Sequence, residues 1–316
     1  MKLFSKFALP STAGNGKSGL GFGSMGITSF YGDPMPEDKA MELLQTIYDK
    51  GCRHFDTAEV YTAEELTMNW SLDASSKKFP DGAYDYETVK ASLTGSLDRL
   101  QLEYVDLYYA HRVMTLEGGM DFARTAKRLK EEGLIKEVGL SEVGGKWLKQ
   151  INNIYPIDAV QQEWSLLTRN LEDELVPVCK ELDITIVAYS PLARNLLATK
   201  LEEAPKDWRA KLPRYSKENF GANRKIVEKL EELAAKYNGT TAQLSLAWLF
   251  HKANELGVAV VPIPGSTKLS HAISNLDSTK IEISDEDTAT LEGLAAQVAG
   301  ARGGEDYTGI AIEAQD

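Results

Sequence analysis

Asp56 and Tyr61 stand in the stretch Phe55-Asp56-Thr57-Ala58-Glu59-Val60-Tyr61, where a short strand runs out into a loop. A phenol with the ordinary pKa of roughly 10 holds its proton too firmly for acid catalysis near neutral pH. A nearby ammonium, its charge balanced by a carboxylate, lowers that value and turns the phenol into a usable general acid. The Asp-x4-Tyr spacing alone is a weak signal, because an aspartate at a strand end also caps helices. Polar side chains recur at other strand ends, however: His111, Ser141, Gln161, Glu163, Tyr189 and Ser190. A lone histidine there is more often a structural side chain than a participant in chemistry. His111 gains weight because it would converge with Asp56 and Tyr61 on one mouth.

Convergence needs a fold that gathers strand ends. Helical spacing covers 36–49, with Ala40, Leu43, Leu44 and Ile47 on one face, and 86–100, with Val89, Leu93, Leu97 and Leu100 inward. Strands are expected near 19–23, at Phe55, and at 104–111, 135–141, 159–165, 184–190 and 258–263. Further helices are expected over 118–132, 143–154, 171–182, 223–237, 241–256, 268–277 and 284–297. Gly19 to Gly26 reads as a strand breaking into a glycine loop with no helix directly behind it, so it is not a dinucleotide-binding fingerprint. Strand and helix alternate, which calls for a parallel sheet covered by helices. Seven strands are visible, and 62–80, with a short helical start at 63–68, has room for an eighth. The expected fold is a (β/α)8 TIM barrel forming one domain over residues 1–316, its active site at the strand C-terminal ends.

The chain has 316 residues, a net charge of −12 and 43% hydrophobic residues, enough apolar material for a large core. Its acidic balance argues against nucleic acid and an anionic membrane as partners. No apolar run approaches the roughly 20 residues that cross a bilayer. Cys52 and Cys179 lie in apolar surroundings and read as buried free thiols. With no signal-peptide core at the N-terminus, the expected location is cytoplasmic. Four histidines, none paired at ligand spacing, disfavour a metal-dependent hydrolase, and no metal site is expected. Nothing in the sequence sets the oligomeric state.

Read in order, these segments resemble the aldo-keto reductases. Phe55 to Tyr61 is similar to that family's Asp/Tyr signature, and Asp106-Leu107-Tyr108-Tyr109-Ala110-His111-Arg112 to its His-bearing strand. Val138-Gly139-Leu140-Ser141-Glu142 and Ala159-Val160-Gln161-Gln162-Glu163-Trp164-Ser165 resemble its nicotinamide-holding strands. Val187-Ala188-Tyr189-Ser190-Pro191-Leu192 and Val261-Pro262-Ile263-Pro264-Gly265-Ser266-Thr267-Lys268 continue the series. Leu212-Pro213-Arg214-Tyr215 and Val298-Ala299-Gly300-Ala301-Arg302 further resemble a branch that includes plant and fungal aldehyde reductases.

The resemblance implies an NADPH-dependent barrel that reduces small-molecule carbonyls by hydride transfer. Tyr61 would be the general acid, His111 would orient the carbonyl and stabilise charge on its oxygen, and Asp56 would pair with a lysine. Ser141 and Gln161 match carboxamide-binding positions, and Tyr189 the ring stacked on nicotinamide. Ser190 and Leu192 would line the pyrophosphate channel. Gly265, Ser266, Thr267 and Lys268 precede a helix and suit the adenosine 2′-phosphate. His271 stands where relatives usually carry Arg, and Asn275 matches an adenine contact.

Two departures stand out. Lys77 and Lys78, the next lysines after Tyr61, come too soon for a complete second helix and third strand, so that segment reads as shortened or remodelled. Either lysine is a candidate for the catalytic ammonium. Ala193-Arg194-Asn195 replaces a glycine-flanked arginine in the pyrophosphate loop. A second reading follows from the first departure: an NADPH-binding subunit of impaired turnover, serving in redox sensing or as a scaffold, as potassium-channel β subunits resemble this family. Substrate loops are expected at 112–118 and 195–220, and Phe30, Tyr31 and Trp164 suggest a partly apolar pocket.

Overall fold

The structure, a computed structural model, describes residues 19–28, 33–58, 61, 83–198 and 201–303. Its parallel strands are β1 (Phe22–Gly23), β2 (Phe55–Asp56), β3 (Val105–Ala110), β4 (Ile135–Ser141), β5 (Ala159–Glu163), β6 (Thr185–Tyr189) and β7 (Val260–Pro262). Strands β3 to β7 pair in sequence order, and β1 pairs with β2. The two sheets join edge to edge, because Gly21 N–H donates to Pro262 O at 2.9 Å and Gly19 N–H to Val260 O at 3.3 Å. The resulting order is β2-β1-β7-β6-β5-β4-β3, the curved wall of a (β/α)8 barrel. Among the described residues this wall is not closed: nothing pairs with the outer edges of β2 and β3. The stretch expected to hold the remaining strand, 62–80, lies outside the described residues.

The helices are α1 (Met25–Thr28), α2 (Glu37–Asp49), α3 (Tyr86–Leu100), α4 (Leu116–Glu131), α5 (Gly145–Asn152), α6 (Leu171–Leu182), α7 (Lys217–Lys236), α8 (Thr241–Leu256), α9 (Leu269–Leu276) and α10 (Asp285–Ala295). Their inner faces follow the sequence periodicity: Val89, Leu93 and Leu97 of α3 are buried, as are Ala40, Leu43, Leu44 and Ile47 of α2. Side-chain caps fix where several helices begin. Thr115 accepts from Gly118 N–H ahead of α4, Ser284 from Asp287 N–H ahead of α10, and Thr240 with Gln243 forms a reciprocal capping box on α8. Between helices and wall lies the main core, rich in Leu, Ile and Val and including Trp164 and Trp248. A second apolar set fills the barrel itself: Ala159, Val187, Val261 and Ile263, with Leu107, Tyr109 and Tyr189 against them.

Three expectations need correction. A helical turn, α1, does open directly behind the first strand, one turn long and too short to hold a dinucleotide as a Rossmann helix does. Helix α7 starts at Lys217 rather than Asn223, because the 3₁₀ turn Pro213–Tyr215 delivers the chain to Ser216, from which the helix can start without a break. Trp164 is fully buried, its indole N–H donating to Glu172 at 3.0 Å, so it supports the core and lines no pocket.

Candidate active site

The strand C-terminal ends form one rim, and the polar residues sit there because alternate residues of each strand face inward. Asp56 on β2 and Gln161 on β5 are 105 positions apart in sequence, yet Gln161 Nε2 donates to Asp56 Oδ2 at 2.8 Å. Asp56 makes no ion pair among the described residues. Burial pushes its carboxyl up to about 6, opposed only in part by the Gln161 amide. Tyr109, on β3, lies beside both; its buried hydroxyl makes no well-aligned hydrogen bond among the described residues. Burial, then the Asp56 charge, holds this phenol well above its ordinary value. Its ring rests on Gly139 of β4, where any Cβ would come within 2.3 Å of it. Only glycine allows that stacking.

Tyr61 follows β2 on a short turn, its N–H bonded to Ala58 O at 3.0 Å, while the Thr28 hydroxyl donates to its carbonyl. His111 ends β3. Burial, aided by the positive charge of Arg112, brings its imidazole down to about 4. A neutral imidazole at pH 7 donates a hydrogen bond without competing as a proton source. His54, one strand residue below Phe55, is likewise brought down to about 4 by burial. Sequence reading passed over it because nothing in its spacing sets it apart. Lys77 and Lys78 lie outside the described residues.

On the opposite side of the rim, Ser141 ends β4 and accepts from Arg112 Nη1 at 3.3 Å. It pairs in register with Gln161, and Glu163 pairs with Tyr189. Ser190, Ala193, Arg194 and Asn195, just beyond β6, all carry positive φ (46°, 48°, 56° and 82°), a backbone normally left to glycine. Leu192 is buried beneath this loop. At the adjoining corner, Gly265 approaches Gly23 so closely that a Cβ would meet its carbonyl oxygen at 2.7 Å. Ser266 Oγ accepts from Lys268 N–H at 3.0 Å ahead of α9. Thr267, Lys268 and His271 are exposed, and Asn275 is buried.

A buried ionic cluster, unforeseen from sequence, joins β4, β5 and β6 to the chain's last described residues. Glu142 and Glu163 are 1% and 2% exposed. Arg302 reaches Glu142 at 2.8 Å and Glu163 at 3.3 Å, and Arg194 reaches Glu163 at 3.0 Å. Thr168 donates to Glu163 and accepts from Arg214. Burial alone would push the Glu142 carboxyl up, but the Arg302 guanidinium outweighs it and holds the group below the usual range. Charge this deep is tolerated only when paired and hydrogen-bonded. Arg302 is 160 residues from Glu142, a separation that no local pattern reveals.

A parallel barrel with an aspartate, a tyrosine and a neutral histidine at its C-terminal rim has the form of a barrel enzyme. The aldo/keto reductase family matches residues 19–296, and the chain belongs to that family. It is 37% identical to probable aldo-keto reductase 1 from Glycine max, over 95% of this chain and 91% of that protein. Its fold resembles that of a glycerol dehydrogenase from Gluconobacter oxydans, with a TM-score of 0.75 at 21% identity, over 88% of this chain and 91% of that one. A thermostable aldo-keto reductase, solved with the inhibitor epalrestat, aligns with a TM-score of 0.64 at 27% identity, over 87% of this chain and 94% of its own. The chain is thus of an oxidoreductase family acting on small-molecule carbonyl compounds, generally with NAD(P)H. Among the described residues no helix is long and apolar enough to cross a membrane, and no cluster of side chains could hold a metal ion.

Proposed function

We propose that the chain reduces aldehydes or ketones to alcohols with NADPH, as one cytoplasmic barrel unit, with Tyr61 as the general acid. The observation that carries this reading is the Gln161–Asp56 hydrogen bond, which unites the acid-bearing stretch and the β5 rim inside one barrel. The residues present fit a nicotinamide cofactor. A carboxamide needs one acceptor and one donor. Gln161, with its amide N–H given to Asp56, keeps its oxygen, and Ser141, which accepts from Arg112, keeps its hydroxyl hydrogen. Tyr189 offers a ring at the adjacent strand end. The left-handed backbone at Ser190 and at 193–195, with Leu192 beneath, suits a pyrophosphate, since such turns form anion-binding concavities. Gly265, Ser266, Thr267 and Lys268 ahead of α9, with His271 on its first turn, suit the 2′-phosphate. Asn275 would meet the adenine.

The cofactor, when bound, supplies a hydride to the carbonyl carbon. Tyr61 delivers a proton to the carbonyl oxygen. The neutral His111 donates a hydrogen bond to that oxygen and holds it in place as negative charge develops. Lys77 or Lys78 would lower the Tyr61 pKa, with Asp56 balancing the added charge.

A second reading has its own support. Among the described residues Asp56 is partnered by a neutral amide, and its carboxyl is pushed up rather than down. A chain lacking an ammonium there would bind NADPH yet turn over slowly, as a sensor or scaffold would. Titrating the protein with NADPH and then adding a panel of aldehydes, while following nicotinamide absorbance, separates the two. Oxidation of NADPH supports the reductase. Tight binding with no oxidation supports the sensor, and no binding contradicts both.

A further inference from the structure

Glu142 has no part in the chemistry above, yet it is among the most constrained side chains at the rim. It directly follows β4 with φ +55°, a conformation that residues other than glycine adopt rarely. Its N–H is bonded to Gln161 O at 3.1 Å. One carboxylate oxygen accepts from Tyr189 Oη at 2.7 Å and from Gln162 Nε2 at 3.1 Å. The other accepts from Arg302 Nη2 at 2.8 Å. Arg302 is itself fixed, since its carbonyl accepts from Arg194 and Asn223 brackets the backbone of Ala299. An uninterrupted set of bonds therefore runs from residues 299–302 through Arg302 and Glu142 to the Tyr189 hydroxyl.

We propose that Glu142 is a positioning residue: clamped by Arg302, its carboxylate fixes the Tyr189 phenol and thereby the ring plane against which the nicotinamide lies. The proposal rests on the assignment of Tyr189 as the nicotinamide platform. A tyrosine ring at a strand end, packed against the barrel's apolar set, has freedom of tilt that apolar contact does not remove. A hydrogen bond to an ionised acceptor is short, strong and directional, and it removes that freedom. Misplacing reacting atoms by about 1 Å costs on the order of a hundredfold in rate, so a ring that fixes the cofactor bears directly on hydride transfer. A purely structural role for Glu142, neutralising Arg302, is a weaker account. Arg302 also faces Glu163 and keeps an ionic partner without Glu142.

A double-mutant cycle tests this, using Glu142→Gln and Tyr189→Phe in the full chain. The readouts are the NADPH Kd, from nicotinamide fluorescence, and the single-turnover rate of hydride transfer, with thermal melts to show that each variant folds. Tyr189→Phe removes only the hydroxyl and serves as the independent probe should Glu142→Gln melt early. Each single variant is expected to lose hydride transfer by roughly tenfold, and the double variant to be no worse than either, because each removes the bond between the phenol and an ionised acceptor. The NADPH Kd is expected to rise a fewfold with the same lack of additivity, and it carries the test alone if the wild-type chain binds NADPH without turnover. Losses that multiply, or a wild-type rate and Kd in Tyr189→Phe, would overturn the proposal while leaving the reductase reading intact. Absence of NADPH binding by the wild-type chain would overturn both.

Discussion

The two sides of the barrel rim are built to different standards. From β4 to β6, each charged group is held by several partners: Glu163 by Thr168, Arg194 and Arg302, and Glu142 by Gln162, Tyr189 and Arg302. Across the barrel, Asp56 has Gln161 alone among the described residues, and Tyr109 keeps a buried hydroxyl without a good bond. Redundant bonding suits a surface that must present a fixed shape to a large ligand. Sparse bonding leaves charge unbalanced, as expected of groups whose proton affinities must be tuned. The comparison implies that cofactor affinity tolerates losses on the acid side, while turnover does not.

The largest effect is expected where a buried charge loses a partner. Arg194→Ala removes a buried partner of Glu163 and is expected to cost about 3 kcal/mol of stability, measured by denaturant titration. Asp56→Asn separates the two readings of the acid side. The Asp56 carboxyl sits at about 6 in the fold against an ordinary 3.8, so its ionised form is penalised by folding. That penalty is absent below the ordinary value, grows as pH rises towards 6, and is full above it. Without an ammonium beside Asp56, as the sensor reading has it, the Asn variant is more stable than wild type at pH 7 by roughly 1–3 kcal/mol, with the gain vanishing at low pH. The reductase reading, in which a lysine balances Asp56, predicts an equal or lower melting temperature at pH 7. Lys268→Ala should weaken NADPH roughly tenfold and NADH little, since only NADPH carries the extra phosphate. Equal losses would remove Lys268 from the phosphate site. Smallest, Asn195→Gly should raise stability by about 0.5–1 kcal/mol, because φ +82° costs glycine little.

Much of this organisation was legible in the sequence. Val89, Leu93 and Leu97 predicted α3 over its full length, and the polar residues at strand ends predicted the rim, because both follow from local periodicity. Cys52 and Cys179 are buried free thiols, as their apolar neighbours suggested, and burial pushes them up to about 11 and about 12. Less legible were contacts made by long side chains across the barrel. Gln161 was read as a cofactor contact, and its bond to Asp56 depends on a strand pairing order that only the curved wall creates. Arg302 stood in a segment noted only for its resemblance to other chains, and its two glutamate partners lie in other motifs. Trp164 was misassigned because an aromatic beside polar rim residues gives no sign of which face of the strand it leaves from. The start of α7 was missed because Lys217 to Ala222 carries little apolar periodicity; position after the 3₁₀ turn sets it.

In the proposed reaction a phenolic proton at this rim is delivered as hydride reaches the carbonyl carbon. Tyr61→Phe, assayed by stopped-flow oxidation of NADPH with an aldehyde and by NADPH titration of the same sample, tests it most directly. The expected result is a fall in the hydride-transfer rate of at least 10²–10⁴-fold, with NADPH affinity within about twofold of wild type. A variant that oxidises NADPH at the wild-type rate would contradict it.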